Sequence, residues 1–515
     1  MDWMEIISFG FTVALRPENV FFAFAGCVIG TLVGVLPGIG TTAAISLLLP
    51  ATFKGDVVSS VILLSGIFYG TQYGGSTTSI LVNIPGEAAS VVTCLDGYQM
   101  AQKGRAGPAL GMAAFASFIA GTFSVMMLTF LAPTLAKLGF HFGSPEFAAM
   151  ALLGLSLLIS LSSGSLVKAL MMAAVGLFLG MVGVDPTIGS RRFTFGIYEL
   201  EDGIGLAPVA MGIFGIGEVL TNIEDLFGER RQILVRKVKG LLPNLHDWKE
   251  SGLAITQGSI IGFLIGLIPG GNNIIASISC YALQKRISRH PERFGTGAIE
   301  GVAAPEAANN SAIGGAFIPL LTFGIPTSAV MALLLAGFMI HGIIPGPLLI
   351  KNYPHLFWGL IFSMYIGNAM LLILNLPLIW VWVKVLNVPY GVLFPLIFLF
   401  CLIGAYTLNN SVFEMWLVLF FGLVGFLMRK FGYEPALLIL ALVMGPILEE
   451  SLRRSISLSG GNLTIFLHRP IALSLLVVSA IFLVSSPAGR FIQKRRMRRE
   501  RSRDKSIPPD SCTQW

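Results

Sequence analysis

Charge is what this sequence has least of: only 12% of its 515 residues are Asp, Glu, Lys or Arg, against about 25% in an ordinary soluble domain. With 54% hydrophobic residues and a mean hydropathy of +0.79, the apolar surface exceeds what one soluble core can hide, so a soluble globular fold is excluded. Cysteine is scarce as well. Cys27, Cys94, Cys280, Cys401 and Cys512 form no CxxC pair, and the first four lie in or beside apolar segments. They read as small membrane residues, not as metal ligands or a disulfide framework. Enzyme signatures are missing too: there is no HExxH, no P-loop and no GxGxxG opening a βαβ unit. The Gly75-Ser76 pair has no His partner to match it, which argues against a serine protease. Without a nucleotide motif the chain is not an ATP-driven pump, so an ion gradient must supply the energy. No basic stretch precedes the first apolar segment, so no cleavable signal peptide is expected.

What is present is apolar sequence in membrane-sized lengths. About 20 apolar residues cross the hydrocarbon. Such stretches run over 20–49, 57–84, 107–135, 146–162, 164–184 and 203–222, then over 252–284, 296–325, 327–349, 355–375, 376–407, 411–428, 434–448 and 466–486. The 376–407 stretch is long enough for two crossings with a break at Pro389. The expected fold is an all-α integral membrane protein with about 12 transmembrane helices. Residues 1–228 form a first transmembrane half-repeat, 229–250 a basic cytoplasmic linker, 251–488 a second half-repeat and 489–515 a basic cytoplasmic tail. The net charge of +7 is concentrated in that tail, from Gln493 to Arg503. A basic run after an apolar segment marks a cytoplasmic flank that can touch anionic lipid, not a nucleic-acid arm.

Basic residues also expose a conflict. The 229–249 loop and the Lys285–Arg293 stretch should both be cytoplasmic, yet one straight helix between them would end on opposite sides. The conflict disappears if 252–284 enters, breaks at Pro269-Gly270-Gly271-Asn272-Asn273 and returns. Non-helical backbone at membrane depth is tolerated only inside protein or beside a watery cavity. The pattern occurs twice. Gly26, Gly30, Gly34, Pro37 and Gly38 align without gaps on Gly258, Gly262, Gly266, Pro269 and Gly270. Glycines four apart let helices pack closely, but two copies with the same Pro-Gly ending point to internal duplication. A second shared frame follows each copy. Gly74-Gly75 leads to Ile84-Pro85-Gly86, and Gly314-Gly315 leads to Ile325-Pro326. About five crossings separate the two Pro-Gly breaks. An odd number makes the halves an inverted repeat with broken or re-entrant helices.

Broken helices offer free N–H groups to an anion and carbonyls to Na+. The break backbone is then Pro37, Gly38, Gly40, Gly74, Gly75, Pro85, Gly86, Pro269, Gly270, Gly271 and Pro326. Side chains placed to bind substrate are Thr41, Thr42, Ser76, Thr77, Thr78, Asn83, Asn272, Asn273, Asn309 and Asn310; helix capping is the competing reading for each of them. Ser79 belongs to the same polar run. Glu306 lies in the most polar patch of an apolar stretch. Either it holds a coupling cation or a proton, or it caps a helix at the interface. Lys168 can snorkel, and Asp185, Glu218 and His341 lie near segment ends. Glu87, Asp96, Lys103 and Arg105 belong to a polar excursion at 86–106 that can form part of a vestibule.

At these motifs the sequence resembles the large permease (TctA-type) subunit of tripartite tricarboxylate transporters. The matching strings are Gly34–Gly40, Tyr73–Leu81 with Asn83–Glu87, Asp96-Gly97-Tyr98, and Glu300–Asn310, within a likeness over roughly 18–440. The resemblance implies a multi-pass protein of the bacterial cytoplasmic (inner) membrane with a cytoplasmic C-terminus. It implies two partners, a small membrane subunit and a periplasmic substrate-binding protein, besides the lipid bilayer, and no nucleic acid. It implies import of a tricarboxylate or other citrate-like carboxylate, driven by Na+ or H+, with no cofactor and no enzymatic activity. Two departures bear on the substrate: Asn272-Asn273 and Thr327 stand where the family usually has small residues, so an acid other than citrate fits as well. The competing class is a stand-alone channel or exporter for small organic anions.

Overall fold

A computed structural model describes residues 2–36, 38–161, 165–185, 187–226, 240–386 and 390–484. Pro37, Pro389, residues 229–239 of the linker and the 489–515 tail lie outside the described residues. The first half opens with α1 (Trp3–Ala14), α2 (Pro17–Val35), α3 (Thr41–Leu48) and α4 (Val57–Val82). It continues with α5 (Val91–Gln102), α6 (Ala106–Gly139), α7 (Ser144–Leu161) and α8 (Leu166–Gly180). A hairpin of β1 (Gly183–Val184) and β2 (Arg191–Arg192), the only strands among the described residues, precedes α9 (Leu206–Ala210). A π-helical turn (Met211–Ile216) carries α9 into α10 (Gly217–Leu226).

The second half runs through α11 (Leu245–Leu267), α12 (Asn273–Ile287), α13 (Glu300–Phe323) and α14 (Ala329–Ile340). It ends with α15 (Leu349–Asn352), α16 (Pro354–Asn375), α17 (Ile379–Val385), α18 (Tyr390–Asn409), α19 (Val412–Lys430), α20 (Pro435–Leu458) and α21 (Ile465–His468), before a closing helix over Pro470–Val484. Among the described residues eight helices are long and apolar enough to cross a bilayer, where the sequence suggests about 12. The difference lies in α13, 24 residues long but too polar to be counted among the eight, and in apolar helices of 10–17 residues. At 1.5 Å per residue the latter are too short for a core of about 30 Å.

The glycine spines do the close packing their spacing predicts. A Cβ added to Gly26, Gly30 or Gly34 would lie 2.4, 2.4 and 2.3 Å from the carbonyl oxygens of Leu63, Ile67 and Thr71, so α2 runs parallel to α4, backbone against backbone. Gly258, Gly262 and Gly266 stand likewise 2.6, 2.3 and 2.1 Å from the carbonyls of Ala304, Ala308 and Ala312, so α11 runs parallel to α13. Each spine ends in a chain break. Gly38 (φ +86°) separates α2 from α3, and Gly270 (φ +83°) separates α11 from α12. Both occupy the left-handed region that only glycine enters freely. In the second break α12 returns to the side where α11 began. Arg293, just past α12, pairs with Glu250 near the start of α11 at 3.0 Å. The hairpin reading of 252–284 therefore holds.

Two helices fill the centre. Every residue of α4 from Ser59 to Leu81, and of α13 from Gly301 to Thr322, is buried. Their polar residues thus face protein, while lipid-sized side chains such as Phe24, Phe130, Trp416 and Phe420 are exposed on the outer helices. α4 and α13 cross antiparallel. Tyr69 packs on Phe317 (ring centroids 6.2 Å apart), while Ser76, further along α4, bonds Glu306, nearer the start of α13.

One expectation needs correction. Gly74 and Gly75 are not break residues: they lie inside an unbroken α4. Their hydroxylic neighbours stay helical by bonding back to the preceding turn (Ser76 to the Gln72 carbonyl, Ser79 to that of Gly75). The missing Cβ atoms serve contact instead. One on Gly74 would stand 2.3 Å from Thr31 O, and one on Gly75 2.7 Å from Glu87 Cγ. The break comes later, where Asn83 ends α4 in the left-handed region (φ 58°) before Ile84-Pro85-Gly86. Gly324 ends α13 in the same way (φ 71°) before Ile325-Pro326. The 86–106 excursion is mainly a helix, α5, docked on the second half. Asp96 Oδ1 accepts from the backbone N–H groups of Gly295 (2.9 Å), Gly297 (2.7 Å) and Ala298 (2.8 Å), and Tyr281 Oη donates to Oδ2 (2.8 Å). Arg105 pairs with Asp247, and Lys103 bonds the carbonyl of Thr296.

Candidate functional site

The polar residues of α4 and α13 meet where the helices cross, and both chain breaks reach them. Glu306 projects from α13 into a ring of hydroxyls. Its Oε2 accepts from Ser76 (2.7 Å, α4) and Ser117 (3.3 Å, α6), and its Oε1 from Thr93 (2.5 Å, α5). Asn310, one turn on, donates to Ser117 Oγ (2.7 Å) and so fixes that hydroxyl. Glu306 is only 1% exposed. It lies inside a helix and caps nothing, so the interface reading fails.

Asn309 addresses a second group. Its Nδ2 donates to Glu87 Oε1 (3.2 Å), and its Oδ1 accepts from Asn273 Nδ2 (2.9 Å), at the start of α12. The amide of Gln72, turned to suit its neighbours, donates to Glu87 Oε2 (3.1 Å) and Asn309 Oδ1 (2.9 Å). Its oxygen then lies 3.2 Å from the hydroxyls of Thr41 and Thr71. Thr41 opens α3, so a polar string joins the helix after the first break to the helix after the second: Thr41, Gln72, Asn309, Asn273. Glu87 also accepts from Ala89 N (2.8 Å). Among the described residues, neither Glu87 nor Glu306 has an ion-pair partner.

The remaining sequence candidates divide. Thr77 is buried and lines a small cavity with Ser76, Ser117 and Asn375. Thr78 donates to Val35 O (2.7 Å), satisfying a carbonyl that the end of α2 leaves free. Asn272 accepts from Ile275 N (2.9 Å) as the N-cap of α12, the capping role weighed for it from sequence. Asn83 is exposed and only ends α4, and Thr42 is half-buried beside Thr41. Gly86 is packing: its Cβ would meet Gly34 O at 2.0 Å. Gly271 is equally confined, 2.0 Å from Ile265 O, and Gly270 N donates to Thr327 O across to the Pro326 link (2.9 Å).

The first break has a lock that the sequence did not reveal. Gly40 N, at the start of α3, donates to Glu218 Oε1 (3.1 Å), and Asn222 donates to Gly38 O (2.6 Å). Arg429 stands 3.7 Å from the other Glu218 oxygen. The free N-terminal end of α3 thus already holds a carboxylate. Gln72, Thr93 and Ser117 also escaped the sequence reading. Gln72 carried a signal, as one of two amides in the apolar 57–84 run, whereas one Ser or Thr in such a run carries none.

Set beside known proteins, residues 20–440 match the family model described as "Tripartite tricarboxylate transporter TctA family". An Agrobacterium vitis protein described as "Uncharacterized 52.8 kDa protein in TAR-I ttuC' 3'region" is 50% identical over 478 residues, 93% of this chain and 95% of that protein. Another from the same organism, "Uncharacterized protein in TAR-II ttuC' 3'region", is 49% identical over 223 residues, 43% of this chain and 92% of its own length. No solved structure matches. A family match over most of the chain, and half-identity along nearly its whole length, settle what the broken hairpins suggested. The chain belongs to the tripartite tricarboxylate transporter TctA family, a family of transporters and not of enzymes.

Proposed function

We propose that the chain is the permease subunit of a secondary transporter that imports a tricarboxylate or another small, citrate-like carboxylate across the cytoplasmic membrane, driven by a Na+ or proton gradient. A periplasmic binding protein delivers the substrate, a small membrane subunit completes the complex, and the C-terminus lies in the cytoplasm. The observation that carries this reading is the polar string from Thr41 through Gln72 and Asn309 to Asn273, which links the two helices that begin after the breaks. A small acid leaving water needs compensation for its charge, and the side-chain amides of Gln72, Asn309 and Asn273 offer N–H donors for it without bare cations.

The units α2–α3–α4 and α11–α12–α13 read as an inverted repeat. Each has a glycine spine packed parallel on its central helix, a left-handed glycine at the break, and a left-handed residue before Ile-Pro at the end. The central helices of the two units run antiparallel, which supports opposite orientations in the membrane. The substrate path then lies between the units, and rocking of one against the other exposes it alternately to each side.

The test is uptake of labelled citrate and smaller acids by cells expressing the chain with its binding protein and small subunit. Hydrogen bonds to a charged group are worth about 1.5–3 kcal/mol, so Asn309→Ala is expected to weaken substrate binding about 10- to 100-fold. Thr77→Ala is expected to abolish uptake by altering the adjoining cavity, with membrane insertion retained in both. Normal uptake by both variants removes the site assignment.

A further inference from the structure

The two buried carboxylates of the site sit in chemically opposite surroundings. Glu87 faces N–H donors: Asn309 Nδ2, Gln72 Nε2 and the backbone of Ala89. Such groups have no lone pair to offer a cation, and they suit an anion. Glu306 faces oxygens, the hydroxyls of Ser76, Thr93 and Ser117, one each from α4, α5 and α6. A hydroxyl rotates: it donates to a carboxylate, or it turns its lone pairs to a cation. Ser76 already has a second acceptor for its proton, the Gln72 carbonyl at 3.3 Å. Asn310 holds Ser117 in place by donating to it.

We propose that Glu306 with the hydroxyls of Ser76, Thr93 and Ser117 forms a Na+ site. This deepens the transport reading above and rests on its premise that an ion gradient drives uptake. A carboxylate buried without an ion pair is costly unless a charge arrives to meet it. A second anion, the substrate, raises that cost further. A hard cation takes carboxylate and hydroxyl oxygens readily. The cage offers one negative charge, and no group of three or more His, Cys, Asp or Glu that could hold a metal ion is found among the described residues, so a monovalent ion fits better than a transition metal or Ca2+. Since the ligands come from α4, α5 and α6 of the first half and α13 of the second, the ion ties the halves together. Asn309, three residues along α13 from Glu306, carries the effect to the substrate end of the site.

The experiment is equilibrium binding of radioactive Na+, without substrate, to the purified full-length chain in lipid nanodiscs. Saturable binding is expected that excess Na+ displaces and excess K+ does not. Glu306→Gln should abolish it, and Thr93→Val and Ser76→Ala should weaken it. Asn310→Ala, which only orients Ser117, should cost about 10-fold or more. Gly252→Ala, at an open position on α11 away from both the cage and the polar string, should leave it intact and so serves as the control. Absent saturable binding to the folded chain, or binding that Glu306→Gln and Ser76→Ala leave unchanged, overturns the proposal. If carboxylate uptake then persists on a proton gradient alone, the transport reading survives and only the Na+ site falls.

Discussion

Asp96 offers a sharp test of how the two halves are held together. Its Oδ1 takes three backbone N–H groups from the 295–298 turn, and Tyr281 donates to Oδ2. The residue is fully buried, and a Cβ on Gly301 would stand 2.2 Å from Oδ2. In Asp96→Ala the three N–H groups of the turn lose their acceptor. The Ala298 N–H is buried and those of Gly295 and Gly297 are part-buried; a buried donor left unmet costs about 1–3 kcal/mol and the other two less, so a loss of about 3 kcal/mol or more is expected. Asp96→Asn keeps one oxygen for the three N–H groups, and the tyrosine hydroxyl can reverse to accept from the new amide. Only the charge assistance is lost, so about 1–2 kcal/mol is expected. The assay is reversible SDS denaturation of the purified chain, with limited proteolysis of the 288–299 turn as a local probe. Equal losses for the two variants, or a loss under about 1 kcal/mol for Asp96→Ala, would refute the claim that this carboxylate pins the turn.

Two further outcomes follow from packing and charge. Gly262→Val places a branched side chain where even a Cβ meets Ala308 O at 2.3 Å. It should cost more than the about 1–3 kcal/mol of ordinary overpacking, whereas the same change at Gly252, which has open space, should be tolerated in a denaturation assay. In the β1–β2 hairpin, outside the membrane spans, the N–H of Thr187 first, then that of Ile188 and the Arg453 and Arg192 guanidiniums, hold the Asp185 carboxyl below its ordinary range. A depressed folded value means the stabilisation is complete above the unfolded value of about 3.9 and is lost as pH falls through the lower folded one. The stability advantage of the wild type over Asp185→Asn should therefore stay flat from neutral pH to about 4 and shrink below it; an advantage that ignores acidification contradicts this.

How much was legible beforehand depended on whether a signal was local. The spines at Gly26–Gly34 and Gly258–Gly266, and the break at Pro269–Asn273, announce themselves because packing distance and helix termination are set by adjacent residues. Asn273, Asn309 and Asn310 stood out as amides in apolar surroundings, and the fold does bring them together. Gly74 and Gly75 misled for an equally local reason. Small polar residues resemble a loop, yet in a helix buried on all sides their hydroxyls bond the preceding turn and their missing side chains admit α2 and Glu87. Glu87, Thr93, Ser117 and Glu218 acquire meaning only from partners 178 to 222 positions away, as with Glu218 and Gly40 or Glu87 and Asn309. No window of sequence contains such a pair.

The central claim is that the substrate path lies between the two breaks, which open to opposite sides of the membrane. It is tested most directly by placing single cysteines at Thr41 and Asn273 in a variant lacking Cys27, Cys94, Cys280, Cys401 and Cys512. Each is labelled with a membrane-impermeant thiol reagent applied to one face at a time, with and without citrate or a smaller acid. The prediction is that the two positions label from opposite faces and that one transported acid protects both over the same concentration range. Labelling of both from a single face, with no protection by any acid that the complex transports, would contradict it.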